Sequence, residues 1–102
     1  MGEFVKVAQA NEFQASRTKV IVVQGKKIAL FNVNGKFHAI DNTCTHAGGP
    51  LAMGELEGEV VTCPLHGAKF NVSSGEVLAP PARQNVRSYN VRVNGSDIEL
   101  EV

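Results

Sequence analysis

Two short blocks, Cys44-Thr45-His46 and Cys63-Pro64-Leu65-His66, constrain this chain more than anything else in it. They hold both of its cysteines and two of its three histidines. Each block offers one thiolate and one imidazole beside glycine and proline. In a regular strand, side chains two apart run parallel, roughly 7 Å from one another, and do not converge. Each block therefore reads as a loop bent around a shared object, and the repeated Cys and His point to a metal centre.

A histidine-ligated 2Fe-2S cluster takes two thiolates on one iron and two imidazoles on the other. Cys44 and Cys63 supply the first pair, and His46 and His66 the second. Other readings of the same residues stand beside this one. A structural zinc site accepts Cys and His, although its usual spacing places two Cys together and then two His. A Cys44–Cys63 disulfide leaves both histidine positions unexplained. Two unrelated core thiols leave the matching of the two glycine-flanked blocks to chance.

The surrounding residues narrow the choice. Asn42-Thr43, Ala47-Gly48-Gly49-Pro50, Gly67-Ala68-Lys69-Phe70-Asn71 and the proline-bearing Ala79-Pro80-Pro81-Ala82 together resemble the Rieske iron-sulfur family. The resemblance implies an all-β fold, an antiparallel β-sandwich or barrel base with a small cluster-binding subdomain inserted. One domain is expected over residues 1–102, with base strands in roughly 1–40 and 83–102 and the cluster-binding part in roughly 41–82. It also implies one Rieske-type 2Fe-2S cluster on Cys44, His46, Cys63 and His66.

Hydrophobic patterning agrees with an all-β chain. Val20–Val23 and Ile28–Val33 flank Gln24-Gly25-Lys26, and Asn34-Gly35 turns the second run into Lys36–Ile40. Asn94-Gly95 does the same between Tyr89–Val93 and Ile98–Val102. Asn-Gly between alternating runs is a strong hairpin signal. Glu59–Thr62 and Glu76–Leu78 read as short strands inside the cluster segment, and Ala8–Phe13 as a helical turn. His38 reads as a solvated strand histidine. Asn71-Val72-Ser73 and Asn94-Gly95-Ser96 fit the glycosylation pattern but read as turns.

Ten acidic and ten basic side chains balance, which disfavours nucleic acid and anionic membrane as partners. The N-terminus has no apolar signal core and no stretch reaches the length of a membrane span, so a cytoplasmic monomer is expected. With 43% apolar residues the chain holds a core without disulfides. Oxygen activation at a mononuclear iron wants two more histidines and a carboxylate, and only His38 is left over. Nor does any glycine fingerprint open a helix for a flavin or nicotinamide. The chain reads as an electron carrier and not as an enzyme.

Within the resemblance, departures from the high-potential members are informative. Gly49 and Leu65 stand where those carry an extra cysteine in each loop. Ala68 and Phe70 stand where they carry a serine and a tyrosine that bond toward sulfur. The chain is thus similar to the low-potential Rieske ferredoxins of bacterial aromatic-ring oxygenases, which implies a flavin-dependent ferredoxin reductase and a terminal Rieske oxygenase as partners. A small Rieske subunit of a larger oxidoreductase such as nitrite reductase, and a zinc-stabilised interaction module, are the alternatives. Asn42 to Gly54 carries no charge, so the electron exit is expected as a small apolar collar with weak salt dependence.

Overall fold

The run Ile28-Ala29-Leu30-Phe31 has no polar position, a pattern that strands carry where both faces are covered. The computed structural model, which describes residues 3–13, 16–45, 49–65 and 67–101, puts it there. Its strands are β1 (Phe4–Gln9), β2 (Thr18–Val23), β3 (Lys26–Val33), β4 (Lys36–Asp41), β5 (Glu55–Glu57) and β6 (Val60–Thr62). They continue with β7 (Lys69–Asn71), β8 (Val77–Ala79), β9 (Ser88–Tyr89), β10 (Val91–Asn94) and β11 (Asp97–Glu101). All pairings are antiparallel, and they form sheets in the orders β1-β11-β10, β2-β3-β4-β9 and β5-β6-β7-β8.

The β2-β3-β4-β9 sheet is the shared floor of two cores. Ile28 and Leu30 of β3, with Ala39 of β4, pack on one side against Ala8, Phe13, Ile21, Ile98 and Leu100. Ala29, Phe31 and Val33, with Ile40, face the other side, where Leu51, Leu56, Val61, Phe70 and both cysteines lie. The registers Ala29↔Ile40 and Leu30↔Ala39 keep those faces consistent across the two strands. A slip of one residue would exchange the two cores.

Turn chemistry agrees with the sequence at two hairpins and shifts by one residue at the third. Gln24-Gly25 and Asn34-Gly35 each have two positive φ values (52° and 78°, 53° and 89°), as a type I′ turn requires. Between β10 and β11 the partners are Asn94 and Asp97, so the loop is Gly95-Ser96 and Asn94 still belongs to the strand. The helical turn expected from Ala8 is a 3-10 turn over Ala10–Phe13, because Ala8 and Gln9 stay paired with β11. His38 is half-buried opposite Phe31. The Asn71 amide oxygen accepts from the Ser73 N–H, the Ser73 hydroxyl and the Ser74 N–H, at 2.8, 2.6 and 3.2 Å, so that asparagine is engaged in a turn. The last residue of the expected C-terminal strand, Val102, lies outside the described residues.

Asn42 fastens the floor to the loop that follows. Its N–H donates to Lys27 O at 3.0 Å and its carbonyl accepts from Leu51 N at 2.7 Å. Its amide oxygen accepts from Ala52 N at 2.9 Å. It is the buried polar side chain among the described residues, 6% exposed. Asn42→Ala would leave the Ala52 N–H without a partner, at a cost of about 1–3 kcal/mol. Asn42→Asp keeps an acceptor there and should recover much of the loss, both read from urea denaturation midpoints.

Tyr89, the one tyrosine of the chain, donates its hydroxyl to Asp41 at 2.5 Å. Burial first, and then Asp41 as acceptor and as a negative charge, push its pKa up to about 12, with Arg87 opposing. The folded state therefore holds the phenol proton that the unfolded state releases near pH 10, and stability should fall as pH rises from about 10 to about 12. Ultraviolet titration of the phenolate should show a midpoint near 12 when folded and near 10 in denaturant. Tyr89→Phe should remove this tyrosine's contribution to the slope.

Candidate metal centre

Each cysteine opens a loop of the same design. Cys44 N–H donates to Gly49 O at 2.9 Å, and Cys63 N–H donates to Ala68 O at 2.7 Å. In both cases the chain turns and closes on itself five residues later. The first loop leaves β4 through Asn42 and is pinned at its far side by a Thr43↔Pro50 bridge. The second joins β6 to β7, and Gly67 N–H donates to Cys63 O at 3.1 Å.

The two loops meet at Gly49. A Cβ on that residue would stand 2.8 Å from Cys63 Sγ, closer than real side chains approach, and 3.0 Å from Leu65 Cγ, a tight contact. With Leu65 opposite, it is the missing Cβ of glycine that lets the first loop lie this close to the sulfur of the second. Gly49 thus serves by leaving room, while its carbonyl closes the Cys44 loop. The neighbouring Gly48 lies outside the described residues.

Both thiols are free and 2% exposed. They belong to one apolar cluster with Ala68 and Phe70, each 0% exposed. The residue that precedes the histidine in each block is exposed instead: Thr45 in the first, Leu65 in the second. Pro50, Pro64, Leu78 and Pro80 are exposed around them. Leu65 and Leu78, at 53% and 46%, are large apolar side chains in open solvent. The Thr45 hydroxyl donates to Gln84 O at 2.7 Å and ties the first loop to the segment after the prolines.

His46 and His66 lie outside the described residues, as does Ala47. Among the described residues no third His, Cys, Asp or Glu joins the two cysteines. What the described part offers is a pair of buried, free thiols in two like loops that meet at Gly49. That donor set suits a soft metal or an iron-sulfur cluster, and the residues present fit it. Sequence reasoning identified both cysteines but missed Asn42 as the clamp, since nothing in its local pattern tells a buried amide from a turn residue.

The comparisons with known proteins agree with this arrangement. The chain is 38% identical to the ferredoxin component of the naphthalene 1,2-dioxygenase system of Pseudomonas aeruginosa over 82 residues, 80% of this chain and 79% of that protein. It is 35% identical to the biphenyl dioxygenase ferredoxin subunit of a Pseudomonas species over 99 residues, 96% of this chain and 91% of that one. Among solved structures it superposes, with a TM-score of 0.88 and 30% identity, on a chain of the complex of reduced oxygenase and oxidized ferredoxin in carbazole 1,9a-dioxygenase. That match covers 95% of this chain and 91% of the other. Residues 3–90 match the Rieske [2Fe-2S] domain, and with two like cysteine loops at the seam of its second core the chain belongs to the Rieske iron-sulfur family, which carries one 2Fe-2S cluster.

Proposed function

We propose that this protein is a low-potential electron carrier that passes single electrons from a flavin-dependent ferredoxin reductase to a terminal Rieske oxygenase. Cys44 and Cys63 would hold one iron, and His46 and His66 the other. When bound, the cluster takes up and returns one electron. The chain makes no product of its own. We take it as a cytoplasmic monomer whose segment 41–82 is the cluster-binding part. The described helices include none long and apolar enough to cross a membrane.

The observation that carries this reading is the matched pair of loops, each closed from a buried cysteine to a carbonyl five residues on. Loops of one design meeting at Gly49 suit a two-fold donor set, one thiolate and one imidazole from each loop. The cysteine N–H groups are consumed in closing the loops, so they hold the thiolates in place and leave the sulfurs to other donors. The relatives named above are ferredoxin components of aromatic-ring dioxygenase systems. One structural neighbour is a complex of an oxygenase with its ferredoxin, which supports an oxygenase as acceptor here.

Purified from iron-replete cells, the protein should be red-brown, with two irons and two acid-labile sulfides per chain and the low average g value of a reduced histidine-ligated cluster. Replacing Cys44, His46, Cys63 or His66 singly by Ala should abolish that signal. Stoichiometric zinc in place of iron would overturn the reading.

The buried surroundings of the sulfurs also set an expected potential. Ala68 and Phe70 bring no hydroxyl to a place where the reduced state gains negative charge, so the midpoint should lie near the bottom of the Rieske range, about −150 mV. Ala68→Ser and Phe70→Tyr should raise it. A bond to a charged acceptor worth about 1.5 kcal/mol corresponds to roughly 65 mV in a one-electron couple. Protein-film voltammetry would check this, and a wild-type midpoint above about +100 mV would contradict delivery from a flavin reductase.

A further inference from the structure

The ten positive and ten negative charges cancel over the chain but not around the loops. Strand pairing brings two remote segments to the first cysteine loop. Lys27 O accepts from Asn42 N, and Arg87 O accepts from Asp41 N at 2.9 Å. Lys26 and Lys27 line a groove with Asp41 and Thr43. Arg83 and Gln84 line another with Thr45, Pro80 and Pro81. Lys26, Lys27, Arg83 and Arg87 are all exposed, and among the described residues none of them is in an ion pair.

The counterbalancing charges lie elsewhere. Asp41 is the carboxylate lining these grooves, and it accepts the Tyr89 hydroxyl. Glu55 and Lys69 both pair with Thr62 at the loop end of the β5-β6-β7-β8 sheet and offset each other. Glu57 and Glu59 flank the β5–β6 turn, and Glu76 lies between β7 and β8, all exposed at the end away from the loops. On the base, Lys6–Asp97, Lys19–Glu12 and Arg92–Glu99 are paired.

We propose that the rim formed by Lys26, Lys27, Arg83 and Arg87 beside the apolar collar is a docking surface for a redox partner whose electron-entry face is rich in carboxylates. The inference rests on the electron-carrier reading above. Leu65, Leu78 and Pro80 supply the contact that excludes water, and the cations supply steering and orientation. Four cations beside the first cysteine loop and the strand end that leads into it form a local field that net charge conceals. This departs from the weak salt dependence that the uncharged stretch from Asn42 to Gly54 implies.

The test uses the reduced holoprotein and two small one-electron oxidants, anionic ferricyanide and cationic hexaammineruthenium(III). In each reaction one electron leaves the protein and reduces the metal of the oxidant. Stopped-flow rates would be taken from about 0.01 M to about 0.15 M ionic strength, where the screening length falls from about 30 Å to about 8 Å. The ferricyanide rate should fall on the order of tenfold, and the hexaammineruthenium rate should rise. Combined Lys26→Glu, Lys27→Glu and Arg83→Glu should reverse both trends, while Glu57→Lys with Glu59→Lys, at the far end, should leave the direction of both unchanged. As protein acceptors, plastocyanin with its acidic face should be reduced faster at low salt than cytochrome c with its basic one, and the triple variant should invert that order.

Visible absorption and iron content are read first. A protein without the cluster sinks the electron-carrier reading and this inference with it. A protein with the cluster whose rates ignore the triple charge reversal overturns the docking surface alone.

Discussion

Burial of one sheet on both faces is the constraint from which the rest of this structure follows. β3 and β4 must satisfy two cores at once, so their registers are pinned from above and below and their ends are held in place. The first cysteine loop springs from one such end. A strand with a solvated face tolerates some slippage, whereas here a slip would put Lys27 or Asn32 into a core. The placement of Cys44 thus derives from packing between Ala29, Phe31 and Ile40, well before any metal is considered.

The loops add a second level of definition. Each is closed through backbone hydrogen bonds of its own, and both cysteines are joined by apolar packing around Val61, Phe70 and Leu51. Asn42 links the levels, with three hydrogen bonds that reach β3 and the 3-10 turn at Leu51–Met53. The cysteines are buried by this arrangement while their neighbours Thr45 and Leu65 face solvent. Sulfur on the inside and exposed residues one step along the chain is the layout an outer-sphere electron carrier wants: a dry interior end and a reachable exterior end.

Much of this was legible in the residues and some was not. The long runs around Ile28 and Phe37 and their Asn-Gly turn read directly, since two-sided burial leaves a continuous apolar stretch and tight hairpins demand residues that accept positive φ. β5 and β7 escaped notice because each has a single apolar residue between polar ones, Glu55-Leu56-Glu57 and Lys69-Phe70-Asn71, whereas the equally short β6 and β8 carry adjacent apolar residues. β1 was obscured by the irregularity between Lys6 and Ala8, which breaks its alternation. The cation rim was illegible for another reason. Lys26 and Arg83 are far apart in sequence, and only the pairing of β3, β4 and β9 makes them neighbours of one loop.

The tight seam at Gly49 bears on how such a site changes over evolutionary time. Positions 49 and 65, where high-potential members of the family carry their additional cysteines, are side by side here, with the hypothetical Cβ of one 3.0 Å from the Leu65 side chain of the other. A substitution at 49 alone meets two obstacles, the leucine and the Cys63 sulfur. The sulfur is committed to its site, but the leucine is not. A mutational path between the two forms of the fold is therefore directional: shrinking Leu65 first leaves a later side chain at 49 with the Cys63 sulfur alone to accommodate, whereas filling Gly49 first meets both obstacles at once.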